Sequence, residues 1–209
     1  MTKELAIVGA SGHGKVVADI AEQLGFTIKF YDDAYPNKTT IAHWPILGSS
    51  SDLVASNHKK FGPFTNVVVA IGDNNIRFQK IGQLQENGFN LITLIHPSAV
   101  VSRYAEIENG TVIFPRAVIN AFARIGLGAI INTGSIVEHD CIVGDYAHIS
   151  PNASLSGSVE VGSKCWIGVG SQVKQLVKIG DNTIIGAGST VLSDIPSNVT
   201  AVGSPAKVI

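Results

Sequence analysis

The stretch that decides the fold is INTGSIVEHDCIVGDYAHIS, Ile131 to Ser150. Ile131, Val137, Val143 and Ile149 stand six residues apart, and the beat runs on in both directions. From Val101 to Val191, sixteen successive positions at a step of six are all aliphatic. With about one residue in three aliphatic, chance would produce such a run with a frequency on the order of 10^-8, so the segment is a repeat. Four residues after each beat the side chain is small or compact: Ala105, Thr111, Ala117, Ala123, Ala129, Ser135, Cys141, Ala147, Ala153, Val159, Cys165, Ser171, Val177, Thr183 and Ser189. With the aliphatic residue as position 1, positions 5 and 1 lie two apart and face inward together in a strand. Positions 3 and 4 then form a corner, and position 4 is often Gly or Asn (Gly110, Gly128, Gly134, Asn152, Gly170, Asn182, Gly188), residues that accept the positive φ of a tight turn. A short strand and a sharp corner every six residues describe a parallel β-helix of hexapeptide repeats. Three hexads make one coil, and fifteen full hexads make five coils stacked about 4.8 Å apart.

The first half follows another rule. LAIVGA (Leu5 to Ala10) reads as a strand. KVVADIAEQLG (Lys15 to Gly25) has helical spacing at Val16, Ile20 and Leu24 and a glycine stop. TIKFYDD and NVVVAIGD read as strands, NNIRFQKIGQLQENG as a second helix and NLITLIH as a further strand, while AHWPILGSSSDL reads as loop. This order predicts a small open parallel sheet with crossover helices, an α/β Rossmann-like domain over 1–96 followed by an all-β domain over 97–209.

Of the 209 residues, 45% are hydrophobic, 15% are charged and the net charge is -1. That balance provides no electrostatic basis for nucleic acid or an anionic membrane as partner. No signal peptide and no membrane span is readable, which makes the cytoplasm the expected compartment. The two cysteines, Cys141 and Cys165, have no metal-ligand spacing and no disulfide register, since 24 residues put them on different faces.

Two places carry chemistry. GASGHG (Gly9 to Gly14) lies between a strand and a helix, so its backbone N–H groups and the helix N-terminus suit a phosphate, although it is not the G-x-G-x-x-G fingerprint. Asp32 and Asp33 close the second strand, where an acid can take a ribose hydroxyl or a base N–H. In the repeats, His139 and Asp140 occupy positions 3 and 4 of one corner and Glu138 the outer face beside it. An imidazole outside the core suits general-base work near pH 7, with Asp140, or alternatively Glu138, fixing its tautomer. His148 falls on an outer flat face, away from His139 within one chain. Trp166 and Phe122 are expected to point outward as interface residues. His96, before Pro97, is read as structural, and His43 and His58 as solvated loop residues.

The hexads resemble the left-handed β-helix of the hexapeptide acyltransferases. Taken in order, GASGHG, YDD, AIGDNNIR, LIHPSA, the VEHD stretch and VGSPAK resemble the bacterial amino-sugar N-acetyltransferases that make UDP-N,N'-diacetylbacillosamine, and their sialic acid O-acetyltransferase relatives. The resemblance implies the left-handed sense and a homotrimer with acetyl-CoA in the grooves between subunits, so that sites are shared. It implies an N-terminal UDP-sugar clamp of Ser11, Gly12, His13, Asp32, Asp33 and Gly72, with Asn132 holding the acceptor. It makes His139 the catalytic base and Asp140 its orienting acid, where the family often has Glu. It assigns His148, Gly157, Val169, Gly186 and Ala187 to the coenzyme, with Lys207 near a coenzyme phosphate, and no metal.

The implied reaction is acetyl-CoA-dependent N-acetylation of the 4-amino group of a UDP-4-amino-4,6-dideoxy-N-acetylhexosamine, a step of diacetylbacillosamine-type glycan biosynthesis. O-acetylation of a sialic acid is the alternative. A metal-dependent β-helix enzyme would need three histidines, and only His139 and His148 lie in the repeats. A non-catalytic sugar-nucleotide binder would be indifferent to loss of His139.

Overall fold

The computed structural model describes residues 3–56 and 66–209, in two compact units, Met1–Pro97 and Ser98–Ile209. His58 lies outside the described residues.

In the first unit β1 (Lys3–Val8), α1 (Gly12–Gln23), β2 (Phe26–Tyr31), β3 (Thr40–Ile41), β4 (Trp44–Pro45), α2 (Ser50–Ser56), β5 (Asn66–Val69), α3 (Asn74–Glu86) and β6 (Asn90–Leu91) follow in order. The sheet runs β2-β1-β5-β6 and all its pairs are parallel. Buried Leu5, Ile7, Val67, Val68 and Val69 make its strands apolar on both faces, as a parallel sheet covered by helices demands. The buried stripe of α1 is Val17, Ile20 and Ala21, whereas Val16 and Leu24, expected to face inward, are more than a third exposed. The helix runs from Gly12, before the expected Lys15, to Gln23, so Leu24 is its C-cap rather than part of its buried stripe.

The segment from Ala42 to Leu53, expected to be loop, contains β4 and the start of α2. Ser49 and Asp52 build a capping box: Ser49 N–H donates to Asp52 Oδ2 (2.8 Å) and Asp52 N–H to Ser49 Oγ (3.1 Å). The serine run masked this helix start. NLITLIH, expected as one strand, is interrupted between Asn90–Leu91 and Leu94–Ile95.

The second unit is a three-sided parallel β-solenoid, in keeping with the left-handed β-helix. One face carries six strands, Val100–Val101 to Thr190–Val191, and the next five, Glu106–Ile107 to Lys178–Ile179. The third runs from Val112–Ile113 to Thr200–Gly203, where Ala206–Val208 folds back antiparallel. Up to Thr190–Val191 each strand residue pairs with the one eighteen further on, as in Val118 with Ile136, Arg124 with Ile142 and Ile130 with His148, while Ile184 pairs with Thr200, sixteen further on. From Ile113 to Val191 every aliphatic beat is at most 2% exposed. The small polar residues at position 5 are buried too, and they stay satisfied by donating to the next coil: Thr111 to the Gly126 carbonyl (2.8 Å), Ser171 to that of Gly186 (2.9 Å), Cys165 to that of Gly180 (2.9 Å).

Position 4 has positive φ at every corner from Gly110 to Gly188, including Arg116, Phe122, Asp140, Tyr146, Ser158, Lys164 and Leu176. From Gly128 onward the cost of that conformation in L-residues is offset by a regular bond from each corner to the coil before, such as Asp140 N–H to Ala121 O (3.1 Å) and Asn152 N–H to Thr133 O (3.0 Å). At several position 2 sites the coils approach so closely that glycine is required: a Cβ at Gly144 would lie 2.6 Å from Ser163 N and 2.7 Å from Gly162 C. Gly144→Ala is therefore expected to destabilise the protein by about 1–3 kcal/mol. Gly170→Asn, at a corner of positive φ with open space around it, should shift stability by less than about 0.5 kcal/mol. Urea denaturation midpoints check both.

Candidate active site

The corner after Ile136–Val137 presents His139 and Asp140 to solvent. Asp140 sits at φ 60, and this left-handed backbone lets its short side chain turn back: Asp140 Oδ2 lies 2.7 Å from His139 Nδ1. With Nδ1–H donating to the carboxylate, the lone pair resides on Nε2, as a general base needs. Glu138, the alternative orienting group, is instead the acceptor for Asn120 Nδ2 (2.8 Å), one coil before. The next coil places Gly157 and Ser158 at the same corner, with Ser158 N–H donating to the His139 carbonyl (2.9 Å).

His148 is on the outer face of its strand, as its position in the hexad predicts, but it is enclosed there, with only 5% of it accessible. Its ring is tilted against Trp166 (centroids 4.3 Å apart), and its Nε2 is 3.0 Å from Asn132 Nδ2. Because Asn132 Oδ1 already accepts Thr133 N–H (2.8 Å), the amide presents its NH2 to the ring and holds Nε2 as acceptor. Trp166, expected as an interface residue, is thus a partner of His148, while Phe122 is 61% exposed as expected. Val169, Gly186 and Ala187 follow His148's face at another corner, so a single chain brings Asn132 and His148 together but separates them from the His139 corner. Lys207 lies in the folded-back C-terminal strand.

In the first unit, Gly9 has φ 108, and a Cβ there would meet Ala70 O and Ile71 Cγ1 at 2.8 Å. That close approach explains the glycine that opens GASGHG. A cavity of about 220 Å³ is lined by Gly9, Ser11, Asp32, Asp33, Ile71, Gly72, Ile76 and Lys80 among others. It gathers Ser11, Asp32, Asp33 and Gly72 of the expected clamp; Gly12 and His13 are not among its lining residues. Asp32 holds the loop: its Oδ2 accepts Ala10 N–H (2.6 Å) and its Oδ1 accepts Ala34 N–H (2.9 Å). Lys38 binds the Ala10 carbonyl from the other side.

Asp33 belongs to a trio with Ser50 and Lys80, two residues that sequence reasoning missed. Asp33 Oδ1 accepts Ser50 Oγ–H (2.6 Å) and Oδ2 lies 2.7 Å from Lys80 Nζ. Burial works to raise the Asp33 carboxyl, but the Lys80 ammonium and the Ser50 donors overcome it and hold it at about 2. Buried Arg77 supports the opposite wall through the Ile71 and Gly72 carbonyls (3.0 and 2.9 Å) and Asn74 Oδ1 (2.8 Å). The AIGDNNIR motif carried this signal, since Asp73 caps α3 through Asn75 and Ile76 N–H.

Both cysteines are buried and free. Burial pushes the Cys141 thiol up and that of Cys165 up to about 11, which leaves neither as a nucleophile. Exposed His43 packs on Trp44, 4.1 Å between centroids. Among the described residues no group of three or more His, Cys, Asp or Glu is placed to hold a metal ion, and no helix is long and apolar enough to cross a membrane.

Burial, with Arg77 in second place, lowers the His13 imidazole from 6.5 to about 4, so it is neutral at pH 7. Because the unfolded chain takes up this proton near pH 6.5 and the folded chain only near 4, stability falls as pH drops through that window. Thermal melts from pH 7 to pH 4 should show a shallower acid loss for His13→Gln than for the wild type.

Residues 4–84 match the PglD N-terminal domain and residues 158–193 the bacterial transferase hexapeptide (six repeats). A UDP-N-acetylbacillosamine N-acetyltransferase of Bacillus subtilis (strain 168) is 40% identical over 112 residues, which span 53% of this chain and 50% of that protein. A variant of perosamine N-acetyltransferase from Caulobacter crescentus, solved with CoA and GDP-perosamine, is 36% identical over 99% of this chain and 96% of that one, with a TM-score of 0.93. The acetyltransferase domain of PglB from Neisseria gonorrhoeae FA1090, solved with acetyl coenzyme A, is 38% identical over 100% of both chains, TM-score 0.93. On 36–38% identity over almost the full length of these two acetyltransferases, the chain belongs to the β-helical hexapeptide-repeat family of sugar N-acetyltransferases.

Proposed function

We propose that the protein transfers the acetyl group of acetyl-CoA to the 4-amino group of a nucleotide-linked 4-amino-4,6-dideoxy sugar, with a UDP-4-amino-4,6-dideoxy-N-acetylhexosamine as the acceptor. The observation that carries this reading is the 2.7 Å contact between His139 Nδ1 and Asp140 Oδ2, which leaves Nε2 as a base at an exposed corner. The amine nitrogen attacks the thioester carbonyl carbon while Nε2 takes its proton. The resulting oxyanion needs a donor, and the Gly157 N–H at the same corner takes no part in the coil-to-coil bonding of the described residues. Collapse breaks the C–S bond, and the imidazolium protonates the departing thiolate, yielding an amide and CoA.

The nucleotide end of the acceptor fits the cavity beside GASGHG, where the N-terminus of α1 suits a phosphate and Asp33, Lys80 and Ser50 form a polar wall. UDP as the nucleotide rests on the Bacillus subtilis relative, whereas the Caulobacter crescentus structure carries GDP-perosamine.

The active form is a homotrimer with sites between subunits. Two observations support it. Val169, Gly186 and Ala187 stand at a different corner from His139 and Gly157, so a coenzyme touching both sets bridges two chains. The His139 corner also carries exposed apolar residues, Tyr104 (51%), Phe122 (61%) and Leu176 (72%), suited to burial against a neighbour. A cytoplasmic location accords with acetyl-CoA as the donor.

The test is acetyl transfer from acetyl-CoA to UDP- and GDP-linked amino sugars and to a sialic acid. His139→Ala should lose about 10²–10⁴-fold in kcat. Asp140→Asn should lose about 10-fold or more and Glu138→Gln less than about 2-fold, as the orienting bond belongs to Asp140. Acetylation of the sialic acid alone would overturn the substrate assignment.

A further inference from the structure

We infer that Gly157 is a positioning residue for the base: its missing side chain is the seat in which the His139 imidazole lies. This deepens the proposed reaction and rests on His139 acting as the base in it.

The repeat glycines fall into physically different classes. At Gly126, Gly144, Gly162, Gly168 and Gly180 an added Cβ would meet backbone atoms of the adjacent coil, so glycine there is a condition of stacking. At Gly110, Gly128, Gly134, Gly170 and Gly188 the backbone has positive φ, and glycine serves the corner. Gly157 belongs to neither class. Its φ is outside the left-handed region, and the three nearest atoms to an added Cβ are all ring atoms of His139: Cε1 at 2.6 Å, Nε2 at 2.6 Å and Cδ2 at 3.4 Å. Neither backbone conformation nor coil stacking excludes alanine at this position; the imidazole does.

The same contact sets the direction of the base. His139 is fixed at one end by Asp140 Oδ2 on Nδ1 and leans its other edge over the coil of Gly157. On the opposite side the column holds Ala121, whose carbonyl receives Asp140 N–H. The free nitrogen is therefore aimed along the Gly157 backbone, and the acetyl group must be delivered on that side of the corner. A methyl group at 157 would rotate the ring away from the Asp140 bond, from that line, or both. Misplacement by about 1 Å in such an arrangement costs on the order of 10²-fold in rate.

The experiment is a double-mutant cycle in the full chain: wild type, Gly157→Ala, His139→Ala and the double variant. Read-outs are kcat, acetyl-CoA affinity, melting temperature and the ¹⁵N shifts of the His139 ring. Gly157→Ala is expected to lower kcat about 10- to 100-fold, more than it weakens acetyl-CoA binding, and to shift the ring nitrogens away from their Nδ1–H pattern. In the His139→Ala background the same substitution should leave the melting temperature unchanged and lower the residual rate far less than it lowers that of the wild type, because the atoms it would strike are gone. If Gly157→Ala fails to fold, the double variant should still fold. An equal loss in both backgrounds, a loss confined to acetyl-CoA affinity, or unfolding of both variants would overturn the positioning role. A fully active His139→Ala would instead refute the base itself, so the two failures are told apart.

Discussion

The width of the prism governs the second unit. Its interior takes one aliphatic and one small side chain per side, and each side must then turn within a few residues. The turn is made by a left-handed residue at position 4, tied by its N–H to the coil before, from Gly128 bound to Asn109 through Gly188 bound to Val169. The aliphatic beat, the small residues with their hydroxyls and thiols turned onto carbonyls, and the position 2 glycines all follow from that one confinement.

The chemistry occupies what this confinement leaves over. Positions 3 and 4 have no room inside and no partner strand, so they are the places where a polar group costs the core nothing. Asp140 exploits the corner twice: its left-handed φ completes the turn, and the same φ folds its carboxylate onto the neighbouring imidazole. A short acid suits that geometry. The first unit follows a comparable logic at GASGHG, where Gly9 yields space to Ala70 and Ile71 and Asp32 fastens the loop by the Ala10 amide.

The solenoid was legible because its period is strict: each beat from Ile113 onward is buried, and every corner from Gly110 to Gly188 has positive φ. The His139–Asp140 pair was legible as a candidate, but choosing Asp140 over Glu138 needed the side-chain directions, since both carboxylates adjoin the histidine in sequence. Tertiary contacts decided the misses. His148 obeys the alternation yet is enclosed, a property that periodicity in one chain segment does not carry. Asp32 lines the cavity and also fastens the Ala10 and Ala34 amides, a second role that the sequence does not display. Ser50 and Lys80 join Asp33 from elements 17 and 47 residues away, and the capping box that begins α2 was hidden in a run of serines.

A solenoid of constant register treats its corners as interchangeable addresses. The coil above and the coil below the His139 corner repeat its bonds: Ser158 N–H reaches the His139 carbonyl as Asp140 N–H reaches that of Ala121, and Leu176 N–H reaches that of Gly157. The scaffold thus offers one backbone mould several times over, and what distinguishes the coil of His139 is only the lettering of three positions: an imidazole, an acid after it and a bare position eighteen residues on. Relocating a site in such a protein is a matter of rewriting letters in another row, with Gln175 the side chain that stands in the way one coil along.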